Sequence, residues 1–243
     1  MILNKITLII FAVPTFLFSF IANDAVGSNG LVVSSNEIAS QVGIDVLKNG
    51  GNAIDAAVAV GFALAVTHPS AGNIGGGGFM IIRLANGEVH AIDFREKAPK
   101  LSSRDMFLDD NGDIVSGLSW SSILSSGVPG TVSGFGYVHE NYGTLSWENL
   151  LYPAINLAKM GYPLNYFNVS ILNSTSYKNK LSNDQESKKI FIKDNKYKVG
   201  DNFIQKDLAK TLSRIARFGY KEFYFGETSD MIIDCMHRTG GII

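Results

Sequence analysis

Apolar residues recur every four positions at Ile38, Val42 and Val46, which sets one stripe of a helix against a core. Ahead of them, Ser34-Ser35-Asn36-Glu37 has the form of a capping box, the Ser34 hydroxyl and Glu37 carboxylate satisfying free backbone N–H groups reciprocally. Gly50-Gly51 predicts the helix end, since glycine takes the left-handed C-terminal conformation at no steric cost. Asn52 predicts the cap of a second helix over Ala53 to Val66, apolar nearly all round apart from Asp55. At about 14 residues it is too short to cross a bilayer and reads as a core helix. The spacing then shortens: Phe79 to Leu84 and Val89 to Phe94 predict two strands around Asn86-Gly87, a strong hairpin signal. Lys100 to Gly136 reads as loop-rich. Helical spacing returns over Trp147 to Lys159, where Pro153 predicts a kink or a restart. Residues Asn173 to Lys198 are rich in Lys, Asn and Ser, which predicts a surface or mobile segment. Leu208, Leu212, Ile215 and Ala216 mark an amphipathic helix ending at Gly219, and a last helix covers about Thr228 to Arg238. With no internal repeat and no dividing linker, one domain is expected.

The first residues differ from all of this. Lys5 supplies a positive start and Ile6 to Ile21 is mostly apolar, the pattern of a secretory signal over residues 1–27. Ala25-Val26-Gly27 offers small residues for cleavage, and Ala22 an earlier site; an uncleaved anchor is the alternative. Export to the periplasm or the medium is the expected destination. A single cysteine, Cys235, excludes an intrachain disulfide framework and any metal cluster built on cysteine alone. Lys plus Arg total 21 against 22 Asp plus Glu, a net charge of -1. That balance lacks the basic excess of a general nucleic-acid binder. Hydrophobic residues at 46% exclude a disordered chain.

Of the 25 glycines, the run Gly75-Gly76-Gly77-Gly78 asks most insistently for a reason. A Walker phosphate loop needs a Lys-Ser/Thr pair after the glycines and a helix behind them; neither is present. A dinucleotide fingerprint fails in the same way, because its phosphate rests on a helix N-terminus and this run opens a hairpin. What remains is close backbone approach, chain to chain or chain to ligand.

The segment from His68 to Met80, HPSAGNIGGGGFM, followed by Asp93-Phe94-Arg95-Glu96-Lys97-Ala98-Pro99, resembles the gamma-glutamyltranspeptidase family. Further matching stretches are Gly50 to Ala57, Arg104 to Asp109, Gly130 to Phe135 and Glu222-Phe223-Tyr224, so the resemblance covers nearly everything after the leader. It implies an α+β fold: a partial αββα sandwich of the N-terminal nucleophile hydrolase type, helix-rich, without the small-subunit half. Residues 28–243 would then be the N-terminal portion of a large subunit. The implied activity is that of a gamma-glutamyltransferase or glutathione hydrolase, an exported precursor that cuts itself in two. The new N-terminal threonine of the small subunit attacks the gamma-glutamyl amide of glutathione or a related compound, with its own α-amine as base. The acyl group then passes to water or an amino acid. No cofactor or metal is implied, and the partners are gamma-glutamyl compounds and the small subunit.

Arg95 matches the family's arginine that clamps the α-carboxylate of the gamma-glutamyl group. A planar guanidinium suits that task, meeting a carboxylate through two parallel charge-assisted bonds. Asp93, two positions earlier, either orients Arg95 or only balances its charge, since residues two apart on a strand share a face. Glu96 points the other way and reads as structural. His68, ahead of Pro69, reads as packed or solvated. Thr131 follows Gly130, yet its segment matches a structural stretch of the large subunit rather than a nucleophile. Four scattered histidines offer no metal-ligand spacing.

Family precursors are longer, and on this resemblance the nucleophilic threonine and the oxyanion-hole glycines are expected downstream of Ile243. The leading hypothesis is a gamma-glutamyltransferase or glutathione hydrolase present as a truncated chain, inactive by itself. The alternatives are a non-catalytic exported module that binds gamma-glutamyl compounds, and an exported core domain whose glycines serve packing alone.

Overall fold

The computed structural model describes residues 25–243, so the expected signal lies outside the described residues up to position 24. Residues 25–31, the described part of a first unit, are exposed and without helix or strand. Residues 32–243 form a second, compact unit. Its elements, in chain order, are α1 (Glu37–Lys48), α2 (Ala53–Thr67), β1 (Phe79–Arg83), β2 (Val89–Asp93), α3 (Leu118–Ser121), α4 (Thr131–Tyr142), α5 (Trp147–Met160), β3 (Tyr162–Pro163), α6 (Tyr166–Asn173), α7 (Thr175–Leu181), α8 (Gln185–Phe191), β4 (Asn202–Phe203), α9 (Lys206–Phe218), α10 (Glu222–Phe225) and α11 (Glu227–Thr239).

The helix α2 is the axis of the core. Ile54, Ala56, Val58, Ala59, Phe62, Ala63 and Val66 are all buried, and α1 and α5 pack against it, with α9 lying against α5. Phe62 stands edge-on to Phe135 at 5.2 Å and to Trp147 at 5.5 Å, the geometry aromatic quadrupoles favour. The Trp147 indole N–H donates to the Ile215 carbonyl at 2.9 Å, tying α5 to α9.

A capping box does exist, but at α2 rather than α1. The Asn52 carboxamide oxygen accepts from the Ile54 and Asp55 amides, while the Asp55 carboxylate accepts from the Asn52 amide at 2.9 Å. At α1 the expected Ser34 cap is displaced by Asn36, whose side chain reaches the Ile38 and Ala39 amides. Asn36 wins because it is extended, with φ -141°, and its amide group also donates to the Thr67 carbonyl at 3.2 Å. Asp55 itself is fully buried and accepts further from the Thr144 amide and hydroxyl and the Leu145 amide. Burial alone would raise its pKa; the hydrogen bonds, that from the Thr144 hydroxyl first, outweigh it and hold the carboxyl below its ordinary value of 3.8.

Other expectations need amending. Trp147–Met160 is one continuous helix through Pro153, held on either side by α2 and α9. The predicted loop to Gly136 contains the start of α4, whose Val132, Phe135 and Val138 are buried despite a glycine-rich, weakly helical sequence. Within Asn173 to Lys198, α7 and α8 are capped by Ser174 and Asp184 and are largely exposed. The hairpin pairs Phe79 with Asp93 through Arg83 with Val89, each strand ending one residue earlier than predicted, at Arg83 and Asp93. A second, two-residue pair joins Tyr162 to Phe203. At the C-terminal end, Glu222 is buried, accepts from the Thr228 amide and hydroxyl at 2.9 Å each, and lies 3.5 Å from Arg214, locking α9, α10 and α11 together.

Candidate functional site

Arg95 lies two residues beyond β2, at the point where the chain leaves the hairpin. Its neighbours are pinned from two directions. On one side, Gly78 and Phe94 extend the hairpin ladder by exchanging N–H and carbonyl bonds at 3.3 and 3.0 Å. On the other, Lys97 and Val128 exchange a second such pair at 3.1 and 2.8 Å. Within the glycine run, Gly77 is what permits this density. A Cβ on Gly77 would stand 2.6 Å from the Phe94 carbonyl oxygen and 2.7 Å from the Arg95 Cα, distances no side chain tolerates. Gly130 is confined likewise, since its Cβ would overlap the Phe94 carbonyl and lie 2.9 Å from that of Arg95. Within Gly75 to Gly78, the expected close approach of main chain to main chain holds at Gly77 alone: Gly76 faces the Asn73 side chain, Gly78 the Phe94 ring, and Gly75 open space.

The side chain on this rigid track points outward. The Arg95 guanidinium sits 5.2 Å above the ring of Phe79, and its Nε lies 3.9 Å from an Asp93 carboxylate oxygen. The same Asp93 oxygen accepts the Arg95 backbone N–H at 3.0 Å. Asp93 thus does both things considered for it: it fixes the backbone of Arg95 and balances its charge. With side-chain exposures of 64% and 61%, the ion pair is worth little in water. Among the described residues the guanidinium donates no hydrogen bond, which leaves its fork open for a ligand. Phe79 is itself 65% exposed and shares an outward face with Ile81 and Ala91.

The remaining sequence candidates separate clearly. Glu96 lines a cleft of about 550 Å³ with Ser102, Phe107 and Ser126, and Arg95 does not line it. His68 ends α2 and stacks on Phe167 at 5.3 Å, as a packed histidine would. Thr131 is buried, and its hydroxyl donates to the Asn73 side-chain oxygen at 2.8 Å. Such a hydroxyl is no free nucleophile. Among the described residues, no three His, Cys, Asp or Glu side chains gather to hold a metal, and no helix is long and apolar enough to cross a membrane. Asn73 and Phe79 are the residues that sequence reasoning did not single out. An asparagine ahead of a glycine run is an Asx-turn signal, and strand alternation carries Phe79 to the face of Asp93, so both left a trace.

An outward guanidinium beside an aromatic ring, on a backbone hydrogen-bonded on either side, has the chemistry to meet a carboxylate through its two terminal nitrogens. A family model described as Gamma-glutamyltranspeptidase matches residues 39–243. The chain belongs to that family. It is 50% identical over 216 residues to the glutathione hydrolase proenzyme of Pseudomonas sp. (strain A14), covering 88% of this chain and 37% of that protein. Against the glutathione hydrolase proenzyme of Escherichia coli (strain K12) it is 50% identical over 215 residues, with the same two coverages of 88% and 37%. The crystal structure of Helicobacter pylori gamma-glutamyltranspeptidase superposes with a TM-score of 0.87 at 48% identity, over 91% of this chain and 63% of that one. The chain therefore spans 37% of the length of the curated relatives it matches. Its fold is a helix-rich α+β part of an N-terminal nucleophile hydrolase.

Proposed function

We propose that this chain supplies the N-terminal, substrate-gripping part of a gamma-glutamyltransferase or glutathione hydrolase. Arg95 takes the α-carboxylate of the gamma-glutamyl group through its two terminal nitrogens, and Phe79 closes one side of the guanidinium. The observation that carries this is the open fork of Arg95 on a glycine-walled backbone. Gripping one end of the substrate fixes where the gamma-carbonyl lies, which converts binding energy into orientation at the scissile amide. Thr131, buried and donating to Asn73, is not the nucleophile on this reading; the attacking hydroxyl belongs to the small-subunit polypeptide, downstream of Ile243. Acyl transfer there breaks the amide, releases the amine, and passes the glutamyl group to water or an amino acid. Residues 1–27 act as an export signal, placing the enzyme in the periplasm or outside the cell, with residues 28–243 beginning the large subunit. Relatives named as proenzymes support a partner segment cut from the same precursor.

The test is complementation. The chain is co-expressed with the remaining polypeptide of the Escherichia coli relative and assayed for release of p-nitroaniline from gamma-glutamyl-p-nitroanilide. The chain alone is expected to be inert and the pair active. Turnover by the chain alone, lost on Arg95→Ala, would show that it carries its own nucleophile and overturn the assignment of that group to a partner.

A further inference from the structure

Carboxylate capture by Arg95 makes no direct use of Asn73, Gly76 or Thr131, yet these three form a knot at the back of the track. The Asn73 Oδ1 accepts two hydrogen bonds at 2.8 Å, one from the Gly76 N–H and one from the Thr131 hydroxyl. The Gly76 carbonyl in turn accepts from the Gly130 and Thr131 amides at 2.7 and 3.0 Å. Residues 73 and 131 are 58 positions apart, so one side-chain oxygen, beside the Gly76 carbonyl, joins the two segments that flank Arg95. Next to the knot on one segment is Gly77, in contact with the Arg95 Cα; on the other is Gly130, against the Arg95 carbonyl.

Resting on the reading that Arg95 holds the glutamyl α-carboxylate, we propose that Asn73 and Thr131 are positioning residues that set where the Arg95 guanidinium is presented. Two hydrogen bonds can converge on one Oδ1 because an amide oxygen has two lone pairs, and a carboxylate oxygen would serve equally. An apolar group of the same size supports neither bond. Without the Oδ1 bonds, the flanking segments are held there by the Gly76 carbonyl's two bonds alone, and the track between them is less firmly spaced. A bidentate guanidinium–carboxylate pair is geometrically demanding, so a small shift costs binding before it costs folding. The buried contacts among α1, α2, α5 and α9 do not run through these residues, so the core should not register the change.

Amide hydrogen exchange on the full chain tests this. Asn73 is exposed, so Asn73→Leu should fold. Exchange at the Phe94, Lys97 and Val128 amides is expected to accelerate at least ~10-fold, while Val58, Phe62 and Leu150 keep their protection. Asn73→Asp should restore the wild-type pattern, and Thr131→Val and Thr131→Ser should repeat the contrast. Unchanged protection in Asn73→Leu, or equal loss in Asn73→Asp, overturns the proposal. In the complemented enzyme, Asn73→Leu should raise KM for the anilide about tenfold, with kcat within about twofold. Faster exchange with an unchanged KM also overturns it, provided Arg95→Ala does raise KM. If Arg95→Ala leaves KM alone, the carboxylate reading falls instead, and the exchange data then speak only to the knot.

Discussion

The core around α2 and the track around Arg95 are held together by different physics. In the core, side chains do the work: Phe62, Val58, Leu150, Leu151 and Leu212 are wholly buried, and helix meets helix through apolar contact. At the track, side chains are largely missing. Gly77 and Gly130 let main chain lie on main chain, a ladder of backbone hydrogen bonds supplies the order, Phe94 packs inward on Phe135, and Arg95 and Phe79 face outward. The first arrangement yields stability that is spread over many residues. The second fixes the backbone beneath a single guanidinium, which touches its own protein through a long ion pair with Asp93 and the ring of Phe79 and donates no hydrogen bond among the described residues.

Substitutions should therefore sort by region. The largest stability effect is expected from Phe62→Ala, at about 3–5 kcal/mol, because the ring fills the centre of the core and meets two aromatic partners. Urea denaturation would read this as a lowered midpoint. Asp55→Asn should cost about 1–3 kcal/mol at neutral pH, since a buried charged acceptor of several hydrogen bonds is replaced by a weaker one.

The same carboxylate gives a pH dependence with a definite sign. The Asp55 pKa is lowered in the fold, so the unfolded chain binds the proton more readily as pH falls. Its contribution is whole above the unfolded value near 3.8 and is lost as pH falls through the folded value. The gap between wild type and Asp55→Asn should close in acid, which denaturation midpoints at pH 7 and pH 3 would show.

Gly77→Ala tests the other region. The added methyl meets backbone atoms of Phe94, Arg95 and Glu96, and overpacking of this kind costs about 1–3 kcal/mol. Its signature should be regional: exchange protection falls at the Gly78 and Phe94 amides before it falls in α2. The smallest effect is expected from Phe79→Ala. The ring is exposed, so stability should change by less than about 0.5 kcal/mol. Loss of the guanidinium–ring contact, about 0.5–1 kcal/mol, should still raise KM of the complemented enzyme a few-fold.

The two regions also differ in how legible they were beforehand. Core helices announce themselves locally: the Ile38, Val42, Val46 stripe, the Asn52 cap and the Leu208 to Ala216 face are short-range patterns, and each became the helix expected. Helix α4 did not, because Gly130 offers no side-chain cap and its glycines read as loop. Their purpose lies elsewhere, in admitting rings such as Phe94 beside Gly134 and Tyr220 beside Gly136. Arg95 was visible only as part of a motif, since one arginine on a strand end is chemically unremarked. The Asn73–Thr131 bond was invisible, because no local pattern reports a hydrogen bond between residues so far apart in the chain.

The central claim is that Arg95 is held outward, its fork open to receive a carboxylate. The direct measurement compares Arg95→Ala with wild type in the complemented enzyme, following kcat/KM for gamma-glutamyl-p-nitroanilide and thermal stability together. The account predicts a fall of about 100-fold or more in kcat/KM, the equivalent of a lost charge-assisted pair, with a melting temperature essentially unmoved. A variant that turns over normally, or one that loses activity only because it unfolds, would contradict it.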